Sequence, residues 1–298
     1  MHTDAWWKMY LYRFLMIIPD SIYVRLKYRK AFGRWPNLKH PQTFNEKLNW
    51  LKLHDRNPLY TTMVDKYEAK RYVADLIGEE YIIPTLGVWE RAEDIDFDSL
   101  PDKFVLKATH DSGRVIICRD KSKLDKAKAV KEMRESLKRN FYAVTREWPY
   151  KNVKPRIIAE QLLENSTDTG MADYKVHNQD INDYKFFCFN GHVEFMKVDF
   201  DRHTDHHANY YDRDFNLLDF GENVCPPIKE RIIQRPILFS KMIELSEKIS
   251  KHIRFVRVDF YEVNNRIYFG EITFFPDSGI GMLSPKLADF EIGKLLNI

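Results

Sequence analysis

Two stretches towards the end of the chain alternate apolar and charged residues, and together they predict a β-hairpin. Residues 255–260 read FVRVDF and residues 267–273 read IYFGEIT. A period of two is typical of strands, because successive side chains point to opposite faces of the sheet. Asn264 and Asn265 lie between the two stretches and predict the turn.

The chemistry of this hairpin depends on its register. With a strict two-residue turn, Asp259 would lie opposite Gly270, and Glu271 would point to the other face. An odd loop or a bulge would instead place Asp259 opposite Glu271 and Arg257 opposite Thr273. We predict this second register, in which Asp259 and Glu271 offer the carboxylate oxygens that Mg²⁺ prefers. The alternative is an edge hairpin whose acids are ordinary surface residues.

A second pair of apolar runs, 104–107 and 115–118, predicts two strands joined by a loop of small and hydrogen-bonding residues. Lys107 ends the first run, where its ammonium group can reach phosphate oxygens. The N–H groups and hydroxyls of the loop can wrap the terminal phosphates of a nucleotide. The alternative is an ordinary hairpin with a solvated lysine. The loop residues that we assign to the phosphates are Thr109, Ser112 and Gly113.

Residues 156–163, RIIAEQLL, predict another strand, which leads into an acid and an extended segment. Such a segment can offer backbone groups to adenine and a carboxylate to ribose. We therefore assign Glu160, Gln161 and Leu163 to nucleotide binding.

Four further segments are predicted to be helical. Apolar residues recur with helical spacing in 44–54, 66–76 and 232–253, and 121–140 is a lysine-rich helical stretch. We expect the segment 232–253 to cover the sheet that holds Asp259. Helices and strands without repeats or low-complexity linkers indicate an α+β protein.

The beginning of the chain differs from the rest in its charge. Residues 1–40 contain eight Lys or Arg and two Asp and so carry +6, whereas the whole chain carries +3. Aromatic residues are interleaved with these cations. The apolar run Leu11 to Ile18 is too short to span a bilayer. Residues 1–35 could contact an anionic membrane surface, but we favour the alternative that their apolar faces pack on the body of the protein.

The bulk composition limits the classes of function. A chain of 298 residues with 44% hydrophobic and 31% charged residues can bury a substantial core. A net charge of +3 does not indicate a nucleic-acid partner. Three widely spaced cysteines argue against a secreted disulfide scaffold, so we expect a cytoplasmic protein, with the inner face of the membrane as an alternative location.

The order of these parts resembles the ATP-grasp superfamily. The shared features are a strand lysine with a phosphate loop, a Glu-containing hinge, and Arg257-x-Asp259 followed by Glu271-x-Thr273 and a Pro-x-Ser-Gly segment. The chain is most similar to the TupA-like branch, which is named for teichuronopeptide biosynthesis and is found in bacterial surface-polysaccharide loci. This closer resemblance rests on Lys107 with its loop, on residues 41–48 (PQTFNEKL) and 183–191 (DYKFFCFNG), and on Asp65, Lys66, Tyr67 and Lys70.

The resemblance implies an ATP-grasp fold in which the nucleotide is held between two α+β subdomains. We expect a basic, aromatic, helical segment at 1–60 and a catalytic body at 61–298. Within that body, the resemblance implies a lid-like subdomain at about 101–163 and a metal-binding subdomain at about 164–298.

The resemblance also implies an activity, namely ATP- and Mg²⁺-dependent ligation of a carboxylate to an amine through an acyl phosphate. Lys66, Lys107 and Lys185 would contact the nucleotide, and Arg257 and Lys185 would act in catalysis. Two positions depart from the usual pattern. Thr273 replaces a customary Asn, which puts a second metal in doubt, and Asp111 would repel the triphosphate unless Arg114 or His110 neutralises it.

Residues 199–212 are polar and rich in histidine, and the resemblance implies an acceptor pocket nearby. We assign Arg202, His203 and Tyr210 to contacts with an anionic saccharide or an amino acid. A mobile surface loop is the alternative, and a zinc site is disfavoured because consecutive histidines lack a rigid face. A sugar or polysaccharide kinase, a glycosyltransferase and a non-catalytic binding protein are the competing functions.

Overall fold

The computed structural model describes residues 12, 14–165, 181–201 and 205–298. The chain divides into two compact units. The first unit comprises the residues up to Pro36 together with Leu51–Tyr72 and Ile83–Leu162, and the second comprises Asn37–Trp50, Val73–Ile82 and Leu163–Ile298.

A helix lies within or beside each of the four predicted segments, but two of these helices are shorter than predicted. The segment predicted at 232–253 becomes helical only at Phe239, three residues after Pro236, since proline lacks the N–H needed inside a helix. The segment predicted at 121–140 begins at Lys126, where the Asp125 carboxylate caps the helix by accepting a bond of 2.9 Å from the N–H of Lys128. The α-helices are α1 (Asp20–Phe32), α2 (Phe44–His54), α3 (Leu59–Val64), α4 (Glu68–Ile77), α5 (Lys126–Leu137), α6 (Phe141–Thr145), α7 (Phe239–Ser250) and α8 (Leu287–Leu295).

The first unit contains a four-stranded antiparallel sheet. Its strands are β1 (Thr85–Trp89), β2 (Phe104–Ala108), β3 (Val115–Cys118) and β4 (Ile157–Gln161), in the order β1-β4-β2-β3. Phe104 and Leu106 point from β2 into a core that also contains Met133 of α5. Lys107 follows Leu106 and therefore projects from the opposite face.

The helix α1 of the first unit is fixed along one side. The hydroxyl of Tyr23 donates to the carbonyl of Val144 at 2.8 Å, and the hydroxyl of Tyr142 donates to Asp20 at 2.6 Å. The buried guanidinium group of Arg146 pairs with the same Asp20 at 3.0 Å. These contacts join α1 to α6 and define its inner face.

The second unit contains a five-stranded antiparallel sheet in the order β10-β9-β5-β6-β7. As predicted, the helix α7 covers this sheet, and Phe239 packs from α7 against Phe186 with ring centroids 6.0 Å apart. A short ladder, β8-β11, completes the unit. The strands are β5 (Asp183–Phe189), β6 (His192–Phe200), β7 (His207–Asp212), β8 (Gly221–Glu222), β9 (Phe255–Val263), β10 (Arg266–Thr273) and β11 (Leu283–Ser284).

Candidate active site

A row of polar residues crosses the five-stranded sheet of the second unit. Each residue of the row lies directly opposite the next one on the neighbouring strand, and residues paired in this way project to the same face. The row collects one side chain from every strand of the sheet. From β10 to β7 its members are Glu271, Asp259, Lys185, Lys197 and Tyr210.

The predicted pairing of Asp259 with Glu271 is confirmed, and a bulge produces it. The hairpin has a tight two-residue turn, in which Asn264 and Asn265 adopt left-handed φ angles of 51° and 58°. The register then shifts at Gly270, so that Glu271 lies opposite Asp259. The bulge adds the one extra residue that the predicted register required.

Arg257 and Thr273 form the adjacent pair on the same two strands. The Nε and Nη2 atoms of Arg257 donate to the two carboxylate oxygens of Asp259, each at 2.7 Å. Nη2 also lies 3.0 Å from the hydroxyl oxygen of Thr273 and 3.3 Å from a carboxylate oxygen of Glu271. The four residues therefore form one cluster on one face of the sheet.

Asp259 is fully buried, and two cations hold it in the charged form. The ammonium group of Lys185 donates to Asp259 at 2.8 Å and also contacts Asp183. The same ammonium group lies 3.7 Å from a carboxylate oxygen of Asp199. Burial alone would raise the pKa of Asp259, but Arg257 and Lys185 lower it below its usual range. Burial would likewise lower the pKa of Lys185, but Asp183 and Asp259 raise it above the ordinary value.

The cluster carries an excess of negative charge that suits a divalent cation. Four carboxylates face three cationic groups, since Lys197 also lies 3.3 Å from Asp199, and Glu271 keeps 36% of its side chain exposed. Mg²⁺ commonly takes one or two protein carboxylates and completes its coordination with water and phosphate oxygens. Among the described residues, no group of three or more His, Cys, Asp or Glu forms a ready-made metal centre, so phosphate ligands would be needed. The charged members are Asp183, Asp199, Asp259, Glu271, Lys185, Lys197 and Arg257.

Lys185 lies inside this carboxylate cluster. A direct contact with phosphate oxygens, as the sequence predicted, would require its ammonium group to leave Asp183 and Asp259. In the observed position, the Lys185 side chain orients Asp259 and keeps its carboxylate ionised.

The ionic network continues to the far end of the row through Lys197, which contacts both Asp199 and Glu222. Lys197 donates to Glu222 at 2.7 Å, and the hydroxyl of Tyr210 donates to the same carboxylate. Tyr210 is fully buried, and burial and Glu222 raise its pKa well above the usual value. Tyr210 is thus engaged within the protein, which argues against the predicted substrate contact. The other predicted substrate contacts, Arg202 and His203, lie outside the described residues.

In the first unit, Lys107 and Glu160 form a buried ion pair. Lys107 lies 2.5 Å from one carboxylate oxygen of Glu160, and Lys70 lies 2.6 Å from the other. Burial would raise the pKa of Glu160, but Lys107 and Lys70 lower it overall. The Glu160 carboxylate therefore holds two lysines, which argues against its predicted contact with ribose.

The remaining residues of the predicted hinge occupy different environments. Gln161 ends β4 with an exposed side chain, and its N–H donates to the carbonyl of Pro84 at 3.0 Å. Leu163 is half-buried and belongs to the second unit.

The predicted phosphate loop joins β2 to β3, as expected. Ser112 and Gly113 are exposed, and Gly113 has a φ of 111°, which an L-residue rarely adopts. Thr109 is buried, and its hydroxyl lies 3.4 Å from the carbonyl oxygen of Lys154. Lys66 braces the loop, because its ammonium group donates to the carbonyl of Asp111 at 2.5 Å and its N–H donates to the carbonyl of Thr109 at 3.1 Å.

The carboxylate of Asp111 pairs with a cation that the sequence analysis did not name. Its carboxylate is buried and lies 2.9 Å from Arg139, whereas Arg114 pairs with Glu135 at 2.9 Å. His110 is also buried, and burial lowers its pKa. Arg139 follows α5, a helix distant in sequence from the loop, so local reasoning could not identify it. The ion pair offsets the charge of Asp111 within the loop.

The segment 41–48, on which the resemblance partly rested, has a structural role. Thr43 and Glu46 form a capping box at the start of α2, with Glu46 N–H donating to Thr43 Oγ1 at 3.2 Å and Thr43 N–H donating to Glu46 at 3.3 Å. Asn45 donates to the carbonyl of Gly281 at 2.9 Å, and Asn49 donates to that of Gly279 at 2.6 Å. The asparagines hold the Pro-x-Ser-Gly segment that follows β10. The sequence did contain a signal for this contact, because Asn45 and Asn49 are four residues apart and therefore lie on the same face of α2.

These parts define an ATP-grasp protein, with an acidic strand pair in one unit and a lysine-bearing strand with its loop in the other. The chain belongs to the TupA-like ATP-grasp family, whose model matches residues 46–297. The resemblance stated from the sequence is thereby confirmed, and with it the α+β ATP-grasp fold. No curated protein matches the sequence.

Solved structures with some similarity include two ligases. D-Alanine–D-alanine ligase from Bacillus anthracis complexed with ATP has a TM-score of 0.40 and 15% identity, over 72% of this chain and 54% of that enzyme. Phosphoribosylamine–glycine ligase from Thermotoga maritima has a TM-score of 0.44 and 13% identity, over 74% of this chain and 50% of that enzyme. The chain therefore spans about half the length of these two proteins.

Proposed function

We propose that the protein is an ATP- and Mg²⁺-dependent ligase that joins a carboxylate to an amine in bacterial surface-polysaccharide biosynthesis, in the cytoplasm. The observation that carries the proposal is the pairing of Asp259 with Glu271 beside Arg257 and Thr273. This face has the donor atoms and the excess negative charge that a magnesium nucleotide complex needs. Similarity to the TupA-like family supports the polysaccharide pathway as part of the proposal, and the small number of cysteines supports the location.

The proposed roles of the residues follow from their contacts. Asp259 and Glu271, with Thr273 as a neutral oxygen, would hold Mg²⁺, which would neutralise charge on the β and γ phosphates. Lys107, held by Glu160, would donate to phosphate oxygens, and the exposed loop residues Ser112 and Gly113 would add N–H donors.

The chemistry proceeds in two steps. An oxygen of the substrate carboxylate attacks the γ phosphorus, the bond to the β-bridging oxygen breaks, and ADP leaves. The amine then attacks the acyl carbon, phosphate departs with the bond electrons, and the amine loses a proton.

Arg257 is placed to stabilise the charge that develops in both steps. Its Nε and Nη2 atoms hold Asp259, Glu271 and Thr273, and its Nη1 donates no hydrogen bond to a described residue. Nη1 would donate to the acyl phosphate and to the oxyanion of the second step. An anionic saccharide or an amino acid would supply the carboxylate.

Product analysis tests this function. The protein is incubated with Mg²⁺ and ATP, with panels of uronic acids and amino acids, and with hydroxylamine to trap acyl phosphate. The proposal expects ADP, free phosphate, and a hydroxamate or an amide. A phosphosugar would identify a kinase, and transfer from a nucleotide sugar without ATP would identify a glycosyltransferase; either result would refute the ligase.

A further inference from the structure

The helix α1 exposes a face that combines apolar and cationic side chains. Ile22 and Leu26 lie one turn apart and are 50% and 48% exposed. Arg25 and Lys30 are exposed as well, and the helical periodicity places them on either flank of Ile22 and Leu26. The opposite side buries Tyr23 and other aromatic residues in the first unit.

A tryptophan extends this face beyond the end of the helix. The guanidinium group of Arg29 lies over the ring of Trp35, 4.5 Å from its centroid, and Trp35 is 50% exposed. The helix ends at Gly33, whose φ of 71° turns the chain there. We call Ile22, Arg25, Leu26, Arg29, Lys30 and Trp35 the α1 face.

The charges of the α1 face are all of one sign. The sequence from Ser21 to Asn45 contains no acidic residue. The acid of α1, Asp20, is turned to the other side, where Arg146 and Tyr142 engage it. No carboxylate of α1 therefore opposes an anionic partner at this face.

We propose that the α1 face docks on an anionic lipid surface. A helix that lies at a bilayer interface combines apolar side chains, which enter the headgroup boundary, with Lys and Arg, which attract anionic lipids. Tryptophan is enriched at the same depth, where its ring is apolar and its N–H remains in contact with polar groups. Scattered apolar residues on a surface are ordinary, but here they are contiguous with three cations and one tryptophan. None of the described helices is long and apolar enough to cross a bilayer, so the contact would be peripheral.

Vesicle flotation of the full chain tests the proposal without nucleotide, so its outcome is independent of the ligase activity. The vesicles are pure phosphatidylcholine or an equal mixture of phosphatidylcholine and phosphatidylglycerol. The wild-type protein should float with the anionic vesicles about tenfold better, and added salt should reduce the recovery.

Two paired variants, one that conserves charge and one that removes two cations, identify the face responsible. The pair Ile22→Asn and Leu26→Gln, and the pair Arg25→Gln and Arg29→Gln, should each lower the recovery about tenfold while circular dichroism shows a folded protein. Ile237→Gln alters a residue of the second unit that is 77% exposed and should have no effect. Equal flotation with both kinds of vesicle, or unchanged recovery of both paired variants, would overturn the proposal. Self-association through the α1 face without flotation would overturn it as well, since the occupant would then be a second copy.

Discussion

Asp259 and Glu271 lie directly opposite each other on adjacent strands, although the turn between those strands has only two residues. A bulge at Gly270 shifts the ladder by one residue and places both acids on one face. Without it, Asp259 would lie opposite Gly270, and Glu271 would point to the other face. The proposed metal site therefore depends on an irregularity in one strand.

Replacing Gly270 by valine should disturb the bulge. A Cβ atom there would lie 3.0 Å from the ring of Tyr261 and 3.1 Å from the carbonyl oxygen of Asp259, closer than side chains normally pack. We expect the free energy of unfolding to fall by about 1–3 kcal/mol, the usual cost of overpacking. Urea denaturation measures the change. A variant as stable as the wild type would show that the strand accommodates a side chain at the bulge.

The sequence predicted the hairpin, its register and the strand that carries Lys107, because alternation and turn residues are local signals. It did not predict that Lys185 joins Asp183, Asp199 and Asp259. That cluster arises from the order of strands in the sheet, which brings β9 between β10 and β5. A signal was present, since Asp183-x-Lys185 and Lys197-x-Asp199 also place paired charges at alternate positions of apolar strands. Their faces and neighbours, however, depend on long-range pairing.

Replacing Glu160 by glutamine should destabilise the protein strongly. The change leaves Lys70 and Lys107 without the carboxylate that both contact, and both ammonium groups are largely buried. Removing one partner of a buried ion pair costs about 3–5 kcal/mol. Glu90→Gln is the matched control, because Glu90 also pairs with a lysine, Lys154, but at an exposed site, where the loss of one partner should change stability little. Equal losses of stability for the two variants in urea would contradict this account.

The same carboxylate predicts a dependence on acid pH. Since the folded pKa of Glu160 is lowered, its stabilising contribution is present above the pKa of an unfolded glutamate, which is about 4.3. The contribution is lost as the pH falls through the folded pKa. The difference in unfolding free energy between wild type and Glu160→Gln should therefore be constant near neutral pH and shrink below about pH 4. If the difference in unfolding free energy did not change with pH, the pKa of Glu160 would be the same in the folded and unfolded protein, which would contradict the lowered folded pKa.

Lys52 predicts a dependence on alkaline pH. It is buried, donates to the carbonyl of Thr145 at 3.0 Å, and burial lowers its pKa to about 8, with Glu147 opposing the shift. Between about pH 8 and the unfolded lysine pKa near 10.4, the unfolded chain binds more protons, so stability should rise with pH by about 3 kcal/mol. Lys52→Met should remove this rise in denaturation experiments across that window. Lys286→Met, at an exposed site, should keep the rise in stability with pH. If Lys52→Met showed the same rise as the wild type, Lys52 would not be its source.

The proposed function requires the protein to bind a magnesium nucleotide, and calorimetric titration with ATP tests this requirement most directly. We expect the wild type to bind ATP only when Mg²⁺ is present. Lys107→Met and Glu271→Gln should each weaken binding about tenfold or more, because each removes a charged contact. Lys154→Met and Glu291→Gln, at exposed positions of the two units, should bind as the wild type does. ATP affinity that is unchanged in both Lys107→Met and Glu271→Gln, in folded protein, would contradict the account.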